Sequence, residues 1–280
     1  MSVPQPGTAW VLRSALASLA FLVAGVGLYL FFLCTVVGQQ LDASSFGAVI
    51  WLRAALGPLA DSFRTILVVA SAVLLVVLIV IALLHGRIRD CYIAVAICLI
   101  TLLASTGLKN YIVYRPNLGE NGYPYNTFPS GHESVSIAAL IAVYVLLPGS
   151  LRRPVMLVPL IILGTANAVS QVASYAHRPS DVMAGALLAG AVAAWFPGRT
   201  RRIAVGWRWG LWIFIAAAAI FGAVCLASWQ SSGYATAQQM TATTGIALGS
   251  AACVTAALLV GAWRRVGLDP SRSVAAPEPS

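Results

Sequence analysis

Long apolar runs dominate this sequence and leave it few folds to adopt. A transmembrane helix needs about 20 apolar residues, and runs of about this length recur along the chain. Only 9% of the residues are charged, whereas soluble proteins carry about 25%. We therefore predict an all-α fold, a polytopic membrane helix bundle. The predicted spans are 14–37, 65–86, 90–111, 132–148, 154–176, 180–196, 207–229 and 244–264.

Positive charge is divided unevenly between alternate loops. All but five of the 17 Lys and Arg residues fall on one side, and the positive-inside rule places that side in the cytoplasm. We predict a multi-pass protein of the cell (plasma or inner) membrane with both termini cytoplasmic. No nucleic-acid partner is predicted, because no soluble basic domain or arm is present. The five outer cations are Arg53, Arg64, Lys109, Arg115 and Arg178.

Three clusters of polar residues fall at the outer ends of spans, where ionisable side chains are costly and therefore suggest function. The first cluster joins Lys109, the single lysine, to Arg115-Pro116. Lys109 alone would be interpreted as an anchor whose ammonium reaches the interface. The outer side is otherwise poor in positive charge, however, and an ammonium with a guanidinium suits phosphate oxygens.

The second cluster is Pro129-Ser130-Gly131-His132 at the start of the fourth span. Ser130 and Glu133 have capping-box spacing, so one interpretation is simply a helix start. The functional interpretation is that Gly131 lets a ligand approach the backbone and that the helix N-terminus binds an anion. His132 would then donate or accept a proton.

The third cluster runs from Ser170-Gln171 to His177 and Asp181. A separation of four residues lets the carboxylate fix the tautomer of the imidazole, which activates the other ring nitrogen as a nucleophile. Alternatively, Asp181 only stabilises a helix N-terminus. The small residues of 184–190 predict close helix packing.

In order and content, the clusters Lys109…Arg115-Pro116, Pro129-Ser130-Gly131-His132 and Ser170…His177…Asp181 resemble the three signature motifs of the type 2 phosphatidic acid phosphatase superfamily. The resemblance covers roughly residues 65–196. It implies metal-independent phosphoester hydrolysis without a cofactor. It also implies that His177 attacks phosphorus, that Asp181 orients it and that His132 protonates the leaving oxygen. The phosphate-binding residues that it implies are Lys109, Arg115, Ser130 and Gly131.

Two positions depart from the family pattern. Five residues instead of six separate Lys109 from Arg115, which would rotate the arginine by ~100° on a continuous helix. A proline follows Arg115, however, and disfavours helix there. The second departure is Gln171, which occupies a position where the family has arginine. We predict that Gln171 still faces the phosphate and that Arg178 supplies the missing charge.

The spans and the resemblance together predict the organisation of the chain. A cytoplasmic N-terminus (1–13) precedes a catalytic six-helix core (14–196) of the kind found in the type 2 phosphatidic acid phosphatases. Two additional C-terminal transmembrane helices (197–265) and a disordered cytoplasmic tail (266–280) follow. The additional helices either bind a membrane protein partner or add stability.

The function predicted from these features is hydrolysis of a lipid phosphate or pyrophosphate at the outer face through a phosphohistidine. Polyprenyl pyrophosphate, phosphatidic acid and phosphatidylglycerol phosphate are candidate substrates. Two alternatives stay open: a lipid phosphotransferase, and a catalytically weak lipid-phosphate-binding membrane protein, the latter because of Gln171 and the short first motif. A transporter is the weakest candidate, because the spans show neither internal repeats nor interior charges. No metal site is predicted, since no cysteine forms a CxxC pair.

Overall fold

The computed structural model describes residues 8–56, 58–119, 125–148, 150–196 and 237–263. Every regular element in this part of the chain is helical, which confirms the predicted all-α fold. The α-helices are α1 (Thr8–Leu28), α2 (Val36–Ala48), α3 (Ile50–Leu56), α4 (Pro58–Leu84), α5 (Ile88–Gly107), α6 (Gly131–Leu146), α7 (Leu157–Ala173), α8 (Pro179–Ala193) and α9 (Ala237–Trp263). Wider π-helical turns extend α1 over Tyr29–Leu33 and α5 over Leu108–Ile112.

Several helices are long and apolar enough to cross a membrane, which indicates a multi-pass membrane protein. They are Val11–Leu33, Asp61–Leu84, Ile88–Ile112, Pro154–Ala173 and Ala242–Val260. Two shorter apolar helices, α6 and α8, correspond to the fourth and sixth predicted spans. The predicted span 207–229, the tail 266–280 and most of the N-terminal segment 1–13 lie outside the described residues.

The short helix α6 lies at the centre of the bundle. Its side chains from Ile137 to Leu146 are all buried, and it packs against α4, α5, α7, α8 and α9. Other helices, instead of lipid, therefore surround it, which explains why a helix of 16 residues is tolerated there. The last described helix joins the same core, because Val254, Ala257 and Leu258 of α9 are buried within it.

Helix α8 packs closely against its neighbours through its small residues, as the sequence predicts. A Cβ on Gly190 would lie 2.7 Å from the ring of Phe21 in α1. A Cβ on Gly185 would lie 2.8 Å from the carbonyl oxygen of Ser130, where α6 begins. Gly185 brings α8 against the start of α6, where two of the three polar clusters meet, and Gly190 brings α8 against α1.

Helix α2 follows the first span at this same end of the bundle, where Leu33 packs against Phe128 and Ala184. It begins after Thr35, whose hydroxyl accepts a hydrogen bond from the N–H of Gly38 at 3.0 Å, the usual arrangement of a helix N-cap. Helix α2 contacts α7, α8 and α9. Polar side chains of α2 are thereby brought to the start of α8.

Candidate active site

The second cluster forms the N-terminus of α6. Ser130 is the N-cap, and its hydroxyl accepts the N–H of Glu133 at 3.2 Å. The helix therefore begins where the capping-box spacing indicated, but the reciprocal contact from the side chain of Glu133 to the N–H of Ser130 is not made. The N–H of Ser130 instead donates to the carbonyl oxygen of Asp181 at 2.9 Å. The carboxylate of Glu133 turns into the bundle, where it accepts a hydrogen bond from Asn167 at 2.6 Å.

Asp181 lies fully buried beside His177 at the start of α8. Its Oδ2 accepts hydrogen bonds from the hydroxyl of Thr127 at 2.5 Å and from the N–H of Arg178 at 3.0 Å. The Nδ1 atom of His177 lies 3.6 Å from the same oxygen. This separation exceeds a hydrogen bond slightly, and catalytic contacts are often long before substrate binds. The carboxylate is thus fixed by two donors and faces the imidazole.

The two histidines face each other across the junction of α6 and α8. Their ring centroids lie 6.3 Å apart. His177 is buried, whereas His132 is exposed in the first turn of α6. The close approach at Gly185 accounts for this pairing, because a side chain there would push the two helix starts apart. Both rings can therefore contact one group of phosphoryl size.

Lys109 reaches the same place from the end of α5. Its Nζ lies 4.0 Å from the point that a Cβ on Gly131 would occupy. The backbone of Lys109 belongs to the π-helical turn, a distortion that is frequent at functional sites. Asn126 fixes this turn, since its side-chain amide donates to the carbonyl oxygens of Lys109 at 3.2 Å and Val113 at 2.9 Å.

Arg115 lies beyond the end of the helix, so the short spacing from Lys109 imposes no helical rotation. The backbone is already extended at Val113, with φ −90° and ψ 123°. One guanidinium nitrogen of Arg115, Nη2, donates to Oδ2 of Asp42 at 3.0 Å. The other, Nη1, is buried and has no hydrogen-bond partner among the described residues.

Asp42 of α2 is a fully buried carboxylate at this point. It accepts hydrogen bonds from the hydroxyl of Ser180 at 2.6 Å and from the N–H of Ser180 at 3.2 Å. Burial, and then the charge of Asp181, raise the pKa of Asp42 to about 7, against the opposing effects of Ser180 and Arg115. The ion pair with Arg115 is therefore complete above that pH and weakens as Asp42 takes up a proton below it.

The two remaining predicted phosphate ligands lie in the same region and are deeply buried. The side-chain oxygen of Gln171 accepts a hydrogen bond from the hydroxyl of Ser130 at 2.6 Å. Its side-chain nitrogen donates a hydrogen bond to the carboxylate of Glu133 at 2.7 Å. The side chain of Arg178 is 1% exposed. The structure thus places Gln171 behind Ser130, in contact with the N-cap. Phosphate binding by Gln171 and Arg178 stays a prediction.

All nine predicted site residues occupy this end of the bundle, at the ends of α5 and α7, in the loop that follows α5 and at the starts of α6 and α8. Within the described residues, no group of three His, Cys, Asp or Glu side chains is arranged to hold a metal ion. The charged groups gathered here are the cations, the oriented His/Asp pair, and the buried carboxylates of Asp42 and Glu133. Exposed aromatic and aliphatic side chains lie beside them in the sequence, namely Tyr111, Ile112, Tyr114 and Tyr125.

Sequence reasoning missed three residues that hold this arrangement together: Asp42, Thr127 and Asn126. Thr127 and Asn126 belong to the loop before Pro129 and carry no recognisable pattern. Asp42 offered one signal, because it is one of only eight acidic residues in the chain. A rare carboxylate between two apolar segments is a candidate for pairing with a cation.

The motif geometry agrees with the comparison to known families. Residues 91–203 match the model of the PAP2 superfamily. The chain carries a PAP2 superfamily region. This finding confirms the resemblance to the type 2 phosphatidic acid phosphatases, although the match covers less than half of the chain. Neither the curated proteins nor the solved structures gave a match.

The PAP2 region contains every residue of the three predicted motifs. PAP2 superfamily members are phosphatases, so a phosphatase activity is supported in general. Asp42, which pairs with Arg115, lies before the region begins. The candidate site therefore includes a buried contact from outside the matched segment.

Proposed function

We propose that this protein hydrolyses a lipid phosphate or pyrophosphate, without a metal ion, through a phosphohistidine intermediate. The observation that carries the proposal is the pairing of His132 with His177 at 6.3 Å between ring centroids. Asp181 lies behind His177, and Lys109 lies beside Gly131 at the helix start. This arrangement supports a nucleophile, a proton donor and an anion site at one location.

In the first step, Nε2 of His177 attacks phosphorus. Asp181 accepts a hydrogen bond from Nδ1, holds the reactive tautomer and stabilises the charge that develops on the ring. A bond forms between nitrogen and phosphorus while the bond between phosphorus and the lipid oxygen breaks. His132 gives a proton to that oxygen, and the lipid leaves as an alcohol or, from a pyrophosphate, as a monophosphate.

In the second step, water attacks the phosphohistidine. His132, now neutral, accepts a proton from the water. A bond forms between phosphorus and oxygen, the nitrogen–phosphorus bond breaks, and inorganic phosphate is released. His177 and His132 return to their starting protonation states, so the cycle is balanced without an added cofactor.

Fixed cations and amides neutralise the phosphoryl charge in both steps. Phosphoryl transfer depends mainly on positioning and electrostatic stabilisation. Lys109, Nη1 of Arg115 and the N-terminal amides of α6 at Gly131 are the groups proposed to fill this role. Gln171 is proposed to act on the same N-terminus through Ser130, and Arg178 to add positive charge beneath His177.

A lipid substrate is proposed because the site lies at one end of a bundle of apolar helices. A headgroup bound there leaves its acyl or prenyl chain level with the exposed apolar faces of those helices. Polyprenyl pyrophosphate, phosphatidic acid and phosphatidylglycerol phosphate all present a terminal phosphoryl group of the required kind. The proposed location is the outer membrane face, on the distribution of arginine in the sequence.

The test is phosphate release by the purified protein in detergent with EDTA present, measured on a panel of lipid monophosphates and pyrophosphates. His177→Ala should lower turnover by roughly a thousandfold or more. His85→Ala is the matched control, because His85 is exposed and its ring forms a hydrogen bond with the carbonyl oxygen of Ile81, one turn back in its own segment. The control should retain full activity.

Three results would contradict parts of this proposal. Unchanged hydrolysis by His177→Ala would show that His177 is not the nucleophile. Loss of wild-type activity in EDTA would require a metal ion. Absence of release from every lipid, from folded protein, would leave phosphate transfer to another alcohol, or binding without catalysis, as the function.

A further inference from the structure

Helix α2 precedes the PAP2 region, yet two of its polar side chains contact the first motif. Gln39 and Asp42 are three residues apart and so share one face of the helix. The amide of Gln39 donates to the carbonyl oxygens of Leu33 at 2.7 Å and Pro116 at 2.8 Å. Asp42 binds the guanidinium of Arg115 at 3.0 Å. The dipeptide Arg115-Pro116 is therefore held twice from the same helix.

These contacts are buried and specific. The side chains of Asp42 and Arg115 are 0% and 6% exposed, and Gln39 is 1% exposed. A buried charge requires pairing, because its desolvation is costly. Asp42 satisfies one nitrogen of Arg115 and two donors of Ser180. The second nitrogen, Nη1, is buried and meets no acceptor among the described residues, so its hydrogen-bonding capacity is unused there.

We propose that Asp42 is a positioning residue that fixes the guanidinium of Arg115, so that Nη1 faces the phosphoryl group. The inference rests on the proposed function, since Arg115 is taken to bind a phosphoryl oxygen. It adds a residue that the family motifs do not include. Because Asp42 also binds Ser180, next to Asp181, it couples the orientation of the first motif to the start of α8.

The experiment compares wild type, Asp42→Asn, Arg115→Ala and the double variant as full chains in detergent. Orthovanadate alone is the probe, and its affinity is measured from the thermal stabilisation that it produces. The pH is about 8, where Asp42 is ionised. We expect Asp42→Asn to weaken vanadate binding about tenfold in the wild-type background and by less than twofold when Arg115 is alanine.

Asp61→Asn provides the matched control, since Asp61 is exposed in the first turn of α4. It should bind vanadate as wild type does. Ser180→Ala removes one contact of Asp42 but leaves the ion pair, and it should change affinity by less than about twofold. Should Asp42→Asn fail to fold, Asp42→Ser takes its place in the cycle.

An equal effect of Asp42→Asn with and without Arg115 would overturn the inference. So would a Ser180→Ala variant that weakens vanadate binding as much as Asp42→Asn, since Asp42 would then act through α8. Wild-type protein that binds no vanadate also overturns it, whatever the hydrolysis results. If vanadate binds with the expected coupling but no lipid is hydrolysed, this inference is supported and the proposed hydrolysis is contradicted.

Discussion

The two halves of the candidate site are built in different ways. The histidine half, with His132 and His177, stands on the first residues of two helices that touch at Gly185. The cation half, with Lys109 and Arg115, stands on a π-helical turn and the loop after it. Side chains from elsewhere hold that second half, chiefly Asn126 and Asp42.

This difference indicates how each half maintains its geometry. Helix starts that pack backbone against backbone can shift little, because close-packed interiors resist small displacements. A loop held by a few hydrogen bonds depends on each of them. We therefore expect changes in the histidine half to remove chemistry, and changes in the cation half to weaken phosphate binding in steps.

Among the variants that test the comparison between the two halves, the largest effect is expected from His132→Ala. Loss of a general acid should lower kcat on a lipid phosphate by ~10²–10⁴-fold with little change in KM. With an aryl phosphate, whose leaving group needs no proton, kcat should fall far less. The measurement is steady-state kinetics on both substrates. Equal losses on the two would mean that His132 does not protonate the leaving group.

A smaller effect is expected from Arg115→Lys, which keeps the charge but removes the planar fork. The ammonium of a lysine cannot reproduce the planar arrangement in which one guanidinium nitrogen binds Asp42 and the other a phosphoryl oxygen. We expect kcat/KM to fall by about a hundredfold, mostly through KM. Arg153→Lys at an exposed loop position is the control. A normal KM in Arg115→Lys would show that charge alone suffices.

Gly185→Ala tests the rigid contact directly. The added Cβ would meet backbone atoms of Ser130 and Ser134 at 2.8 and 3.1 Å, and backbone yields little. We expect a loss of about 1–3 kcal/mol in stability and a lower Tm. Gly245→Ala in α9 meets no atom within 4 Å, so it should be neutral or slightly stabilising. Similar Tm values for both variants would rule out a tight junction.

The smallest effect is expected from Asn126→Ala. Its side-chain amide holds the carbonyl oxygens of Lys109 and Val113, and the loss of these bonds should raise KM roughly two- to tenfold with kcat maintained. Asn110→Ala, at an exposed neighbouring position, is the control. A fall in kcat of Asn126→Ala instead would place Lys109 in the chemical step.

The parts of the fold that depend on local composition could be predicted from the sequence. Apolar runs predicted seven helices that the structure contains, and motif spacing predicted the residues that gather at one end. The partnership of Asp42 with Ser180 could not be predicted, because the two lie 138 positions apart. Neither periodicity nor a motif connects such residues; only the packing of α2 against α8 does.

The burial of Gln171 shows a different limit. Its place in the third motif predicted a side chain directed at phosphate, by analogy with the arginine of the family. In the structure, its side-chain amide is hydrogen-bonded to Ser130 through the oxygen and to Glu133 through the nitrogen. A buried carboxylate one turn along α6 supplies the acceptor, and a single sequence cannot reveal which of two neighbours a polar side chain will bind.

The exposed tyrosines beside the cation half have a kinetic consequence. Tyr111 and Tyr114 are among the most exposed large side chains of the described residues, and tyrosine concentrates in the headgroup layer of membranes. An enzyme held at that depth meets its substrate by diffusion in two dimensions. We expect its rate to follow the mole fraction of substrate in the micelle or bilayer. Added inert detergent should therefore slow it even at a constant total amount of substrate.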